Sequence, residues 1–95
     1  MLPPEPTTQL ERELLDILQE ECAELIEVAS KVKRFGIDSD NHGEMIVTNK
    51  TLLLMEMADV QVMLDLAKRH YNLSAEELAV YMNLKVERLK QFSNL

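Results

Sequence analysis

The sequence has few of the residues that non-helical folds require. Its 95 residues include two glycines, three prolines and no tryptophan, and aromatic residues make up 4% of the chain. So few turn-forming residues argue against an all-β fold, in which every short strand must end in a turn. A hydrophobic content of 46% also argues against a disordered chain. The composition therefore predicts a small domain in which aliphatic side chains and methionines pack helix against helix.

Cysteine and long apolar runs are also scarce. Cys22 is the only cysteine, so no disulfide can form within the chain, and its place in an apolar helical pattern is typical of a small core residue. No run of 18 apolar residues is present, so we expect no membrane-spanning segment. The N-terminal sequence MLPPEP lacks the basic and apolar regions of a signal peptide. We therefore expect a cytoplasmic protein.

Positive charge is in deficit. Ten Lys and Arg residues face 17 Asp and Glu residues, which gives a formal net charge of −7, and the basic residues form no cluster. Such a chain has no surface that would bind a phosphate backbone by charge alone, so we expect no nucleic-acid partner. The charge keeps a small domain soluble. If the protein binds a polyphosphate, a metal ion is the natural source of the missing positive charge.

The hydrophobic pattern and the capping residues predict three helices. Residues 1–6 are rich in proline and are expected to form an extended tail, with a single domain over 7–95. The predicted helices run over about 8–35, 48–71 and 75–92. The chain carries more apolar residues than one small core can hide. The prediction is therefore an all-α fold, a small helical bundle of three main helices that homo-oligomerisation completes.

Two acidic residues lie on the apolar face of the first helix. An α-helix turns about 100° per residue, so residues three or four apart share a face. The apolar stripe of this helix consists of Leu14, Leu18, Leu25 and Val28. Glu21 falls close to the centre of this stripe and Glu24 at its edge, whereas Glu20 falls outside it.

The second helix repeats this arrangement. Its apolar stripe consists of Leu52, Met63, Leu66 and Ala67. Glu56 and Asp59 both fall within the stripe. Each of the two helices therefore presents an acidic pair, three residues apart, on the face that should pack against the other.

A buried carboxylate must be paired, protonated or bound to a metal, because an unpaired buried charge costs several kcal/mol. The two apolar stripes contain no Lys or Arg, and protonation relieves only part of the cost. One such Glu could simply reach solvent near a helix end, but two pairs favour a divalent cation. Oxygen ligands select Mg²⁺ or Mn²⁺. The residues therefore predict a metal site formed by Glu21, Glu24, Glu56 and Asp59.

Three motifs follow one another in the chain, one on each helix. They are the EExxE sequence Glu20-Glu21-Cys22-Ala23-Glu24, the ExxD sequence Glu56-Met57-Ala58-Asp59 and the KxxRL sequence Lys85-Val86-Glu87-Arg88-Leu89. In this order, over most of 14–92, they resemble the MazG-like branch of the all-alpha nucleoside triphosphate pyrophosphohydrolases, especially its short phage and bacterial members. The resemblance implies Mg²⁺-dependent cleavage of a nucleotide between its α- and β-phosphorus, in bacterial or phage-infected host cytosol.

The resemblance also assigns roles to residues. It implies that the metal ligands are the same four carboxylates that periodicity selects, and that Lys85 and Arg88 lie near the phosphates. Glu24 or the flanking Glu20 could accept the proton of the attacking water. A homodimer or homotetramer is expected.

Base selection is expected to involve the long segment 36–48. Asn41, His42 and Asn49 can donate hydrogen bonds to a base or sugar, although residues of these types are also ordinary in turns and caps. His70 lies on the apolar stripe of the second helix, where a packed and hydrogen-bonded histidine is more common than a ligand.

Three other classes of protein can also place carboxylates on the inner faces of helices or expose apolar helix faces. A phosphoribosyl-ATP pyrophosphohydrolase would use the same chemistry on another substrate. A di-iron bundle requires inward Glu-x-x-His pairs, and Ala67 stands three residues before His70, so that class is excluded. A non-catalytic helical adaptor that dimerises would need no metal.

Overall fold

The chain is all-α. The computed structural model describes residues 1–44 and 46–95, and over these ranges it contains three α-helices and no strand. The helices are α1 (Gln9–Phe35), α2 (Asn49–His70) and α3 (Ala75–Phe92). The predicted fold class is confirmed, and the bounds agree closely with the sequence pattern. Met45, in the segment 36–48, lies outside the described residues. Within the described ranges no helix is long and apolar enough to cross a membrane.

The start and the end of α1 follow the sequence signals. The amide of Glu11 donates to Oγ1 of Thr8 over 3.1 Å, and the amide of Thr8 donates to Oε1 of Glu11 over 2.8 Å, so the capping box is present. At the other end, the amide of Gly36 donates to the carbonyl of Val32. Gly36 has φ 92°, a conformation that side chains other than hydrogen strain. The helix therefore ends where glycine permits the chain to turn.

Helices α1 and α2 pack against each other as an antiparallel hairpin. Val28 of α1 and Met63 of α2 are the buried apolar residues. The predicted stripes surround them and are half-buried at Leu14, Leu18, Leu25, Leu52 and Ala67. Leu66, which was also predicted in the second stripe, is exposed, so periodicity identified most of each packed face. The acidic pairs lie midway along these faces.

Asn49 fastens the end of the hairpin that carries the connecting loop. Its side chain is fully buried, and its Nδ2 donates to the carbonyl of Gly36 over 2.9 Å. Its Oδ1 accepts from Nδ2 of Asn41 over 3.0 Å. The backbone amides of Asn49 and Lys50 donate to the carbonyls of Ser39 and Ile37, each over 2.8 Å. The loop therefore satisfies the first amides of α2, a task that a capping side chain often performs.

A sharp turn separates α3 from the hairpin. The amide of Leu73 donates to the carbonyl of Lys68 over 2.9 Å, the amide of Asn72 donates to the carbonyl of Arg69 over 3.3 Å, and Asn72 has φ 50°. This is the Schellman pattern of a helix end. Oγ of Ser74 then accepts from the amide of Glu77 over 3.1 Å and caps α3.

Helix α3 extends away from the hairpin. In the described structure it packs on neither α1 nor α2, and none of its residues is buried. The radius of gyration is 17.5 Å, whereas a compact domain of this length has about 12 Å. One chain thus packs two of its three helices together and leaves the third without a partner.

Candidate metal centre

The four carboxylates that the sequence singles out meet midway along the hairpin. One oxygen atom from each of Glu21, Glu24, Glu56 and Asp59 lies within 4.8 Å of the others. The spacing of three residues places both members of a pair on one face of their helix. Antiparallel packing of α1 on α2 then brings the two pairs face to face. The four carboxylates that converge are the four predicted as metal ligands, and metal binding itself stays a prediction.

The cluster has an inner and an outer pair. Glu21 and Glu56 are half-buried, and the Oε2 atom of each is inaccessible to solvent and has no hydrogen-bond partner among the described residues. Glu24 and Asp59 are exposed. The inner oxygens therefore lack the solvation that a carboxylate needs, while the outer pair leaves the cluster open to a ligand from solvent.

Burial and mutual repulsion raise the pKa of both inner carboxyls. For Glu21 the main cause is burial, followed by the negative charges of Glu24, Asp59 and Glu56. For Glu56 burial again comes first, followed by a hydrogen bond with Glu24 and by the charges around it. No Lys or Arg of the described chain forms an ion pair with any of the four. The chain itself thus provides no positive charge to offset theirs.

Two depressions adjoin on this face of the hairpin. A shallow cavity of about 220 Å³ lies against Glu21, Asp59, Val62 and Met63. A larger apolar groove of about 390 Å³ lies beyond Met63, towards the open end of the hairpin. Its lining includes Leu10, Leu14, Ile17, Leu66 and His70. Sites for small molecules usually enclose about 300–1,000 Å³. The cavity at the carboxylates is thus too small to enclose a whole nucleotide.

Other predicted site residues lie apart from the cluster. Glu20 is exposed and is not one of the four converging carboxylates. Lys85 and Arg88 are on α3, which contacts neither helix of the cluster in the described chain. The structure of one chain therefore does not bring the two basic residues to the carboxylates.

The residues expected to contact a base or sugar divide into two groups. Asn49 is fully buried and Asn41 is buried against it, so their side chains hold the loop to the hairpin. Base or sugar contact by Asn49 is thus corrected to a structural role, because no part of its side chain faces solvent. His42 is exposed, and its ring meets that of Phe35 edge to face with centroids 5.6 Å apart. Only His42 of the three is available to a ligand.

One contact escaped the sequence analysis. Nε2 of His70 lies 2.9 Å from Oε2 of Glu11, across the open end of the hairpin. The position of His70 on the apolar stripe was a signal that it should have a partner. The partner itself could be found only from the antiparallel pairing of the first turn of α1 with the last turn of α2.

The arrangement can do one kind of chemistry well. Four carboxylate oxygens that converge on one point, two of them in buried carboxyl groups, form a donor set suited to a hard divalent cation. The open side of the cluster leaves room for a ligand that carries its own oxygens. No protein-family model, curated protein or solved structure matches this chain.

Proposed function

We propose that this chain is a Mg²⁺-dependent nucleoside triphosphate pyrophosphohydrolase of the MazG-like kind, in which Mn²⁺ can replace Mg²⁺. It would cleave the α–β phosphoanhydride of an NTP or dNTP to a monophosphate and pyrophosphate, as a cytoplasmic homodimer or homotetramer of bacterial or phage origin. The observation that carries the proposal is the convergence of Glu21, Glu24, Glu56 and Asp59, with two buried oxygens that have no hydrogen-bond partner among the described residues. The order of the three motifs supports it.

The cluster has the right size for the ion. Mg²⁺ binds oxygens at about 2.0–2.1 Å, so two oxygens on opposite sides of it are about 4.2 Å apart. The four carboxylate oxygens lie within 4.8 Å of one another. Side-chain rotations would have to draw these oxygens closer together to close the cluster on one cation. Binding would also remove the repulsion between the inner carboxylates and offset their burial.

The carboxylates would divide the work according to their exposure. Glu21 and Glu56, which are held in the interface between the helices, would fix the position of the ion. The bound ion would stabilise charge that develops on phosphate oxygens and lower the pKa of a nearby water. Glu24 is exposed, and one of its oxygens lies within 4.8 Å of an oxygen of each inner carboxyl, so it is the best-placed acceptor for the proton of the attacking water. Glu20, one turn before Glu24 and exposed, is the alternative.

Nucleotide hydrolysis tests the proposal directly. A panel of NTPs, dNTPs, phosphoribosyl-ATP and guanosine tetraphosphate would be incubated with the protein and Mg²⁺, and the products separated by ion-exchange chromatography. We expect monophosphate and pyrophosphate from at least one nucleotide. Release of orthophosphate from an NTP would place the cleavage at the β–γ bond and contradict the proposed reaction, and turnover of none would contradict the proposed function.

Paired variants make the assay specific to the cluster. Glu56→Gln keeps the shape of the side chain but removes an inner negative charge, and we expect it to lower kcat/KM at least a hundredfold. Asp16→Asn removes a charge from the exposed, opposite face of α1 and should leave turnover unchanged. Equal activity of the two variants would show that the cluster is not the catalytic site.

A second candidate function is that of a non-catalytic dimerisation module. The unpartnered apolar surface of α3 favours it. Such a module needs no metal, so replacing Glu56 and Asp59 together by Leu should stabilise it and leave its assembly intact. The enzyme proposal expects the same double substitution to abolish turnover, even if the metal-free fold gains stability.

A further inference from the structure

Helix α3 has an apolar face that nothing in the described chain covers. At about 100° per residue, one side of the helix collects its larger apolar residues. They are Leu78, Met82, Val86, Leu89 and Phe92. All are exposed except Leu89, which is half-buried. Lys85 lies near the middle of this apolar face, so a surface that covered the face would have to pair its charge.

The hairpin has an apolar groove and an acidic cluster, which complement the apolar face and the lysine of α3. The apolar groove with Leu14, Ile17 and Leu66 adjoins the carboxylate cluster, and the two meet at Met63. Along α1 the groove and cluster together extend from Leu10 to Glu24, which is about 21 Å at 1.5 Å per residue. The 18 residues of α3 span about 27 Å. One such helix is therefore long enough to cover both.

The accessible surface of the chain leaves ample area for an interface. It is 8045 Å² for a mass of 10.9 kDa. A compact monomer of this mass exposes about 5,600 Å², so this chain exposes about 2,500 Å² more. A stable protein interface needs only about 800 Å² from each partner. The surplus exposed area is therefore larger than the area that an interface with a second copy would need.

The turn before α3 favours a second copy over the helix's own hairpin. The Schellman pattern at Asn72 and the cap at Ser74 fix the direction in which α3 leaves α2, and that direction leads away from the groove. Folding back onto the same hairpin would require the backbone between Leu73 and Ser74 to change direction. Reciprocal exchange between two copies keeps that direction and forms a closed, two-fold symmetric dimer.

We propose that α3 of one copy lies along the hairpin of a second copy, with its apolar face in the groove and Lys85 of the partner subunit over the carboxylate cluster. The charges are complementary, because the cluster has four carboxylates and forms no ion pair with a cation among the described residues. The exchanged helix would also supply the wall that the shallow cavity lacks. The pairing of the two copies stands without the proposed enzyme; only a role for this lysine in phosphate binding rests on that function.

Molar mass in solution tests the pairing. Analytical ultracentrifugation of the full chain should give a dimer. Met82→Glu, on the apolar face, should give a monomer that keeps the helical signal in circular dichroism. Val80→Glu is the matched control, because Val80 is as exposed in one chain as Met82, 56% against 59%, but points the opposite way. A monomeric native chain, or a Met82→Glu variant that stays as dimeric as Val80→Glu, would overturn the proposal.

A zero-length cross-link tests the position of Lys85. Equal amounts of unlabelled and ¹⁵N-labelled chain would be unfolded together and refolded. They would then be treated, without metal, with a carbodiimide that joins a lysine amine to a carboxylate. We expect Lys85 linked to Glu24 or Asp59, with half of the linked peptides carrying one light and one heavy partner. Links within single chains only would show that α3 folds back on its own hairpin, and absence of these links would place Lys85 elsewhere.

The two proposals fail in different ways. A dimer with mixed-label cross-links but no turnover would leave the exchange intact and remove the enzyme. A monomer that hydrolyses nucleotides would leave the enzyme intact and remove the exchange. If both hold, Lys85→Ala should raise KM for the nucleotide at least tenfold and leave the dimer mass unchanged.

Discussion

His70 and Glu11 hold the open end of the hairpin together, with Nε2 of one 2.9 Å from Oε2 of the other. Asn49 fastens the opposite end through its bonds to Gly36 and Asn41. The acidic cluster lies between these two points, where no ion pair joins the two helices among the described residues. Polar contacts at both ends thus keep the helices paired across a middle section whose charges repel.

Glu11→Gln should weaken the hairpin in a pH-dependent way. The backbone amide of Thr8, and after it His70, lower the pKa of Glu11 below its usual 4.5. A carboxyl with a lowered folded pKa contributes stability above its unfolded pKa, and this contribution is lost as pH falls through the folded value. We therefore expect Glu11→Gln to lower Tm at pH 6 and to have a smaller effect at pH 3. Glu13→Gln, on an exposed neighbour, is the control, and equal losses at both pH values would rule out the ionic contribution.

The hairpin and the composition of its cluster could be predicted because they follow from local rules. Thr8 and Ser74 are residues of types that favour helix N-caps, and both cap an observed helix start. The metal-site candidates needed only helical periodicity and the assumption that α1 faces α2. Neither requires knowledge of how distant parts of the chain meet.

The burial of Asn49 and the position of α3 depended on contacts that helical periodicity does not encode. The burial of Asn49 results from carbonyls at the end of α1, which are brought to it by the loop. The sequence pattern shows that α3 is amphipathic but not which surface it covers. The basic motif at Lys85 and Arg88 was therefore assigned correctly to a helix, while its distance from the cluster could not be predicted.

Glu56→Gln should stabilise the metal-free protein at neutral pH. The pKa of Glu56 is raised, chiefly by burial, and that of Glu21 likewise. A carboxyl with a raised folded pKa favours the folded state below its unfolded value of about 4.5, and this advantage is lost as pH rises through the folded value. With EDTA present, we expect Glu56→Gln to raise Tm at pH 7.5 and to leave it nearly unchanged at pH 4. Asp16→Asn should show neither effect, and a lower Tm for Glu56→Gln at pH 7.5 would mean that its charge is already compensated.

Mg²⁺ should stabilise the native chain more than it stabilises a variant that lacks one of the four carboxylates. A ligand that binds only the folded state adds about 2.7 kcal/mol at a hundredfold excess over its Kd. We expect Mg²⁺ or Mn²⁺ to raise Tm of the native chain by several degrees and Glu21→Gln to remove most of the shift. NaCl at matched ionic strength separates binding from general screening. A native chain whose Tm responds equally to NaCl and to both divalent salts would lack the site.

Asn49→Ala separates a structural asparagine from one that contacts a nucleotide. The substitution removes the hydrogen bond that Nδ2 of Asn49 donates to the carbonyl of Gly36, and a buried polar group left unsatisfied typically costs about 1–3 kcal/mol. We expect urea denaturation to show a loss of that size. Lys50→Ala, the next residue along α2, alters only an exposed side chain and should change stability little.

Kinetic measurements should separate Asn49 from His42 in the opposite sense to the stability measurements. At a temperature where the variant is fully folded, Asn49→Ala should keep the KM of the native protein, because its side chain is sealed from solvent. His42 is exposed on the same loop, so His42→Ala should lower the urea midpoint less than Asn49→Ala does and should raise KM. A higher KM for Asn49→Ala without loss of stability would show that the loop opens to bind the nucleotide and that the buried amide becomes part of the site.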